Sequence, residues 1–274
     1  MDYISGSYFK QRCKYRIGSY QDARSPIPTF DSFPSINNKL VFCKTEYLGV
    51  LLDHYNQLPD KFTLLTHNSD INIDDRLVNE VLKHVPQMDI WYAQNLLASH
   101  HKVRPLPIGL ANPKWEHGNL SRFDRISAEN IEKSQSVYVN FNIATNPPHR
   151  SDCLNKIGVS IDTQYPDFAD PAVHNDFVLN SQDEYLRAIA RSLFVVSPMG
   201  NGVDCHKTWE SIYMKSVPIV INTEFSRRFK SMGIPMLILD DWSEFKSLNL
   251  NQVLYDELWQ DFDPTKLDFN FFVR

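Results

Sequence analysis

The chain has 274 residues, 42% of them hydrophobic, which is enough to bury a sizeable core and suits two linked domains better than one. Its formal net charge of -5 and its lack of any long Lys/Arg run argue against a nucleic-acid partner, because gripping a phosphate backbone needs a basic face. The four cysteines, Cys13, Cys43, Cys153 and Cys205, lack paired metal-ligand spacing and read as reduced thiols, and no stretch approaches the roughly 20 apolar residues that span a bilayer; a cytoplasmic protein with no membrane segment and no metal site is expected.

In chain order, "KLVFCK" (39–44), "KFTLLTH" (61–67), "DIWYAQ" (89–94) and "VRPLPIG" (103–109) are short apolar runs rich in β-branched and aromatic residues and predict strands, with helices near 45–57 and 75–84 between them. This is the βαβ rhythm of a parallel sheet. The polar stretch "GLANPKWEHGNLSRFDR" (109–125) interrupts it. The rhythm restarts with strand "SVYVNFN" (136–142), helices from about 149 and near 182–191, and strand "SLFVVSP" (192–198). There follow a helix over 205–215, strand "VPIVIN" (217–222), a helix over 225–231, strand "PMLILDD" (235–241) and helices from 243 to about 261. A boundary near 120–135 gives domains 1–130 and 131–274, with the last helices able to pack back on the first. The expected fold is α/β, two Rossmann-type domains whose facing strand ends make a cleft. "DFADPAVHNDF" (167–177) is expected to form a loop over that cleft.

The most informative stretch is "SPMGNGVDCHKTWESIYMKSVPIVIN" (197–222). A buried strand leads into a turn whose Gly200 and Gly202 let the backbone approach a ligand or take positive φ. The first turn of the next helix offers unpaired N–H groups and the positive end of the dipole, and His206 and Lys207 add cationic donors, so phosphate is the natural occupant. Trp209, Ile212 and Tyr213 recur at i, i+3 and i+4 and should face the core, leaving His206 and Glu210 side by side on a cleft-facing surface. A carboxylate there repels a diphosphate but can accept hydrogen bonds from both hydroxyls of a ribose. The same features also occur as plain architecture in α/β proteins, with His206 and Glu210 as a surface ion pair. Arg150 follows "NPPH" at the start of a helix, where a planar fork of donors suits a diphosphate.

This stretch resembles the C-terminal signature of exostosin-like glycosyltransferases, Ser-Pro-x-Gly-Asn-Gly-x-Asp-x-His-[Arg/Lys]-Thr-Trp-Glu followed by a Pro-[Ile/Val]-Val strand. "KFTLLTHNSD" (61–70), "IWYAQN", "RPLPIGLANPKWEHGN" and "YVNFNIATNPPHR" (138–150) are similar to other segments of that family, so the resemblance spans about residues 40 to 240. The match is nearest to the xylosyltransferases encoded by large algal viruses. The resemblance implies a GT-B fold, here with a reduced N-terminal domain, a nucleotide-sugar donor and inversion at the anomeric carbon. By residue, it implies Glu210 on the ribose, His206, Lys207 and Thr208 on the phosphates, with Ser197, Gly200, Asn201 and Gly202 in the same cradle, and Arg150 on the pyrophosphate. It favours UDP-xylose as donor and a glycan as acceptor.

Inverting transfer is one in-line displacement, so a base must take the acceptor hydroxyl proton while positive charge steadies the departing diphosphate. Asp70, at the end of "FTLLTHNSD", fits the base best, with His67 second; Asp70 can equally make an N-cap or Asx turn, although Asp74 and Asp75 are better placed to cap that helix. Asn95, Asn112, Trp115 and His117 are candidates for the acceptor pocket, since amides and aromatic faces bind sugars, and packing or turn formation accounts for them equally well. Glycosyltransferases of the other major fold hold Mg²⁺ or Mn²⁺ through Asp-x-Asp. The only such triplet here, "DFD" (261–263), reads as a helix-ending surface pair, so no metal and no other cofactor is expected. Pro218 stands where many retaining relatives have a second glutamate, which disfavours retention. A non-catalytic sugar-nucleotide or glycan-binding module, and a phosphate-handling enzyme of another α/β family, are the alternative readings.

Overall fold

In a computed structural model of the chain, residues 3–18, 29–32, 39–158 and 176–274 are described. Two units emerge, one of Met1–Ile108 with Leu267–Arg274 and one of Gly109–Lys266. Both are α/β, with mostly or wholly parallel sheets that are Rossmann-like in kind.

The first unit contains α1 (Gly6–Gln11), β1 (Tyr15–Gly18), β2 (Thr29–Ser32), β3 (Leu40–Lys44), α2 (Leu48–His54), β4 (Phe62–His67), α3 (Asp75–His84), β5 (Met88–Ala93) and β6 (Val103–Pro105). Its strands lie in the order β2-β1-β3-β4-β5-β6, β2 antiparallel to β1 and the other pairs parallel. Alternation along the strands sends Val41, Cys43, Phe62, Leu64, Trp91 and Ala93 into one core with Leu51 of α2 and with Val78 and Val81 of α3. The opposite face is covered by α1 and by the helical turn Phe269–Phe272, where the Phe9 ring lies 5.7 Å from Phe269 and 5.4 Å from His67. The Tyr92 hydroxyl, 2.9 Å from the Arg274 carbonyl, ties the last residue to β5. The sequence pattern does not mark α1, β1 or β2. Expected strand 103–109 stops at Pro105, because Pro105 and Pro107 have no N–H to give to a ladder. Expected helix 45–57 is broken into α2 and two flanking 3₁₀ turns.

The second unit contains α4 (Leu120–Ala128), β7 (Gln135–Tyr138), α5 (Pro147–Ile157), α6 (Asp176–Ala190), β8 (Ser192–Val196), α7 (His206–Tyr213), β9 (Val217–Ile221), α8 (Glu224–Ser231), β10 (Leu237–Leu239) and α9 (Gln252–Trp259). Its four strands run in sequence order and are all parallel. Phe194, Val196, Val217 and Ile219 meet Cys153 and Ile157 of α5, Trp242 and Phe245 of a 3₁₀ turn, and Tyr255 of α9. α6 and α7 pack on β8 and β9, and the Trp209 ring of α7 stands edge-on to Phe229 of α8 at 5.2 Å. The division at Ile108/Gly109 departs from the expected boundary at 120–135 for a physical reason. The polar stretch hides α4, capped by Asn119 and buried through Phe123 and Ile126, which joins α6 through Arg125–Asp183 at 2.6 Å and Arg122–Asp183 at 3.7 Å. The loop expected at 167–177 lies outside the described residues except for its last two, which begin α6. No helix among the described residues is long and apolar enough to cross a membrane.

At the amino edge of this sheet, Lys133 Nζ donates to the Ser192 carbonyl at 2.7 Å, the Met214 carbonyl at 3.3 Å and Ser216 Oγ at 2.7 Å. It holds the entry to β8 beside the turn before β9. Lys133→Met is expected to lower unfolding free energy by about 1–3 kcal/mol through the acceptors it strands. Burial also pushes the Lys133 pKa down to about 7 from its ordinary 10.5. Below the lower value both states carry the proton and the fold bears the full cost of burying the charge. Above it the folded state alone releases the proton, so the wild type should gain stability relative to Lys133→Met between about pH 7 and pH 10, read by urea unfolding across that range.

Candidate functional site

In parallel α/β sheets the groups that meet ligands gather at the carboxyl ends of the strands. In the first unit that edge is built around the turn after β4. Asn68 takes a left-handed φ of 61° and Asn95, at the end of β5, one of 55°. Short polar side chains tolerate this conformation because they can bond locally. The Gln94 and Asn95 side-chain amides both donate to the Ser69 carbonyl, at 2.8 and 2.9 Å, clamping the turn from the neighbouring strand. Asn95, expected at an acceptor pocket, is buried in this clamp.

His67 is buried with both ring nitrogens engaged. Nε2 lies 3.0 Å from the Pro107 carbonyl, which can only accept, so Nε2 carries the proton; Nδ1 accepts from the Asn68 N–H at 2.7 Å. α1 presses on this corner, where a Cβ on Gly6 would collide with the Asn68 side chain and lie 2.7 Å from His67 Nδ1. Asp70 projects from the clamped turn and is exposed. The N-cap of α3 is Asp74, which accepts from the Leu77 N–H at 2.8 Å, and Asp75 accepts from the Ser99 N–H at 3.0 Å. The cap of α3 is therefore Asp74 and not Asp70.

In the second unit the loops after β7 and β8 are laced together. Arg150 is buried and donates from Nε to the Met199 carbonyl at 3.0 Å and from Nη1 to the Asn142 carbonyl at 2.7 Å, and Asn146 Nδ2 reaches the Gly200 carbonyl at 2.6 Å. Gly200 does not adopt positive φ, and a Cβ there would meet Cys205 at 3.7 Å and Arg150 Nη2 at 3.9 Å, ordinary contacts. Ser197 Oγ lies 2.9 Å from Thr208 Oγ1 and 3.2 Å from Cys205 Sγ, so the strand end and the first turn of α7 share one polar cluster. Cys205, at the N-cap of α7, makes no side-chain cap. Asn201 is exposed and Gly202 buried.

α7 itself departs from the amphipathic expectation. Trp209, Ile212 and Tyr213 are buried as their spacing predicts, but so are Lys207, Thr208 and Glu210 on the other side. The expected His206–Glu210 pair on an open face is replaced by two separate arrangements. The His206 Nδ1–H donates to the Gly109 carbonyl at 2.7 Å. Glu210, 5% exposed, accepts from the Tyr185 hydroxyl of α6 at 2.7 Å, while Lys207 Nζ donates to that hydroxyl at 2.6 Å and stands 4.4 Å above the Tyr185 ring. Residues 207 and 210 are one helical turn apart, and the polar face meets a second polar element. Tyr185 is the residue that sequence reading missed; its signal was a hydroxyl-bearing aromatic on the apolar stripe Tyr185, Leu186, Ile189.

The remaining acceptor candidates lie on the loop that opens the second unit. Trp115 is 40% exposed and its ring lies nearly parallel to His117, 6.3 Å between centroids and 13° between planes, with Lys114 Nζ 4.8 Å above it. Asn112 accepts the Trp115 N–H at its carbonyl, 2.9 Å away, and so shapes the turn. Of the "DFD" triplet, Asp263 accepts from the Thr265 N–H at 2.9 Å and caps the turn Pro264–Leu267.

Tyr185→Phe keeps the ring and removes the hydroxyl that joins a buried ammonium to a buried carboxylate, so a loss of about 1–3 kcal/mol or more is expected in chemical denaturation. Compared with known proteins, the chain matches no family model and no curated sequence, so its chemistry is read from these side chains and from the sequence resemblance.

Proposed function

We propose that the chain is an inverting glycosyltransferase of GT-B type that moves a sugar, xylose favoured, from a UDP-sugar to a hydroxyl of a glycan. The observation that carries this reading is the convergence, at the carboxyl edge of one parallel sheet, of Arg150, the uncapped first turn of α7 and the Lys207–Tyr185–Glu210 group. A diphosphate asks for a helix N-terminus and a guanidinium; a ribose diol asks for an acceptor-only carboxylate. Both kinds of group are found within one unit.

In the proposed reaction Asp70 takes the proton of the attacking hydroxyl as the new glycosidic bond forms and the bond to the diphosphate breaks. UDP leaves with its bonding electron pair, and Arg150 and the first turn of α7 balance the charge that builds on it. His67 acts by bracing the turn that carries Asp70. Trp115 and His117 offer an aromatic face to the acceptor glycan.

UDP-xylose is expected to raise the unfolding midpoint more than UDP-glucose, UDP-galactose or GDP-fucose, because whichever donor binds stabilises the fold by mass action. Gly200→Ala should leave the unliganded midpoint nearly unchanged, since its Cβ meets only ordinary contacts, yet weaken donor binding by crowding the diphosphate. Asp70→Asn should bind donor normally and lower transfer by about 10²–10⁴-fold. Donor binding without UDP release, unaffected by Asp70→Asn, would instead identify a binding module.

A further inference from the structure

We infer that Gln182 reads the nucleobase of the donor through its side-chain amide, an inference that rests on the nucleotide-sugar reading above. Gln182 lies in α6, is 1% exposed, and neither its Oε1 nor its Nε2 has a hydrogen-bond partner among the described residues. A carboxamide sealed from water with donor and acceptor both unmet is costly, and buried polar groups in folded proteins are nearly always satisfied. Arg122 and Gln94 each hold one unmet polar atom, and Thr45 and Thr145 each an unmet hydroxyl; Gln182 differs from these in leaving both a donor and an acceptor atom unmet.

Its position says what it is for. Residues three apart share one face of a helix, and helical side chains lean toward the N-terminus, so Gln182 and Tyr185 stand together on the buried face of α6. Tyr185 is the residue that touches Lys207 and Glu210, and its ring lies 6.3 Å from that of Tyr138 at the end of β7. α6 enters antiparallel to the strands it connects, so the turn holding Gln182 is nearer the carboxyl edge of the sheet than the turn holding Tyr185. The amide therefore lies on the face of α6 that carries Tyr185, one turn nearer the carboxyl edge of the sheet.

The two functional groups divide the ligand by chemistry. Glu210 can only accept and suits the two O–H donors of a ribose. Gln182 offers an acceptor and donors in one plane, the complement of a base edge on which an N–H sits beside a carbonyl. The imide edge of uracil is such an edge: N3–H to Oε1 and a flanking carbonyl oxygen from Nε2 form two parallel hydrogen bonds.

The test is calorimetric titration of the full chain with UDP and with N3-methyl-UDP, which lacks the imide proton, for the wild type, Gln182→Met and Gln182→Leu. The wild type should bind UDP about 10-fold or more tightly than the methylated analogue, and both variants should lose that preference by weakening UDP alone. Their unliganded midpoints should stay within about 2 °C of the wild type or rise, since no partner is lost. Variants that keep the preference, or a wild type that binds both ligands equally, would overturn this inference alone. So would a fall of several degrees in both unliganded variants, because it would show the amide already satisfied within the fold. A wild type that binds no UDP overturns the nucleotide-sugar reading itself and this inference with it.

Discussion

A tyrosine hydroxyl placed between an ammonium and a carboxylate is the interaction on which the second unit turns. Lys207 and Glu210 are both withdrawn from water, and an isolated buried charge would cost several kcal/mol. Tyr185 resolves this by accepting from one and donating to the other, 2.6 and 2.7 Å away. The link spans α6 and α7, so their packing and the position of the carboxylate are one decision. Without it, α7 would have to expose its polar face or neutralise it; with it, the helix is buried on nearly every side while its first turn stays at the sheet edge.

That edge is held by backbone acceptors. Arg150 spends its donors on the carbonyls of Asn142 and Met199, and Asn146 spends its amide on Gly200. The loops after β7 and β8 are therefore set by Arg150 of α5 and by Asn146 at its N-cap, and the Ser197–Thr208 contact fixes the start of α7 to the end of β8. A guanidinium used in this way is held in one orientation by its own hydrogen bonds.

The first unit reaches rigidity differently. Two left-handed asparagines end neighbouring strands, and paired side-chain amides from one strand end hold the Ser69 carbonyl of the other. His67 beneath them links β4 to the segment after β6 through the Pro107 carbonyl. The exposed Asp70 is carried by a turn whose backbone is determined from three sides, which is how a loop residue can be placed as accurately as one in a strand.

Periodicity alone located eight of the strands, since period-2 and continuous apolar runs such as 61–67 and 192–198 admit few other structures. It also set the inward face of α7, because Trp209, Ile212 and Tyr213 must leave water whatever they meet. It left out α1, β1, β2 and α4, which are short and whose apolar residues are separated by polar ones. What lies against the polar side of a helix was beyond it. The partner of Glu210 is Tyr185, 25 residues earlier, and the partner of His206 is the Gly109 carbonyl, 97 residues earlier. Burial of apolar groups is nearly non-directional and can be read from spacing, whereas hydrogen bonds between buried polar groups depend on distance and angle, which exist only once the chain is folded.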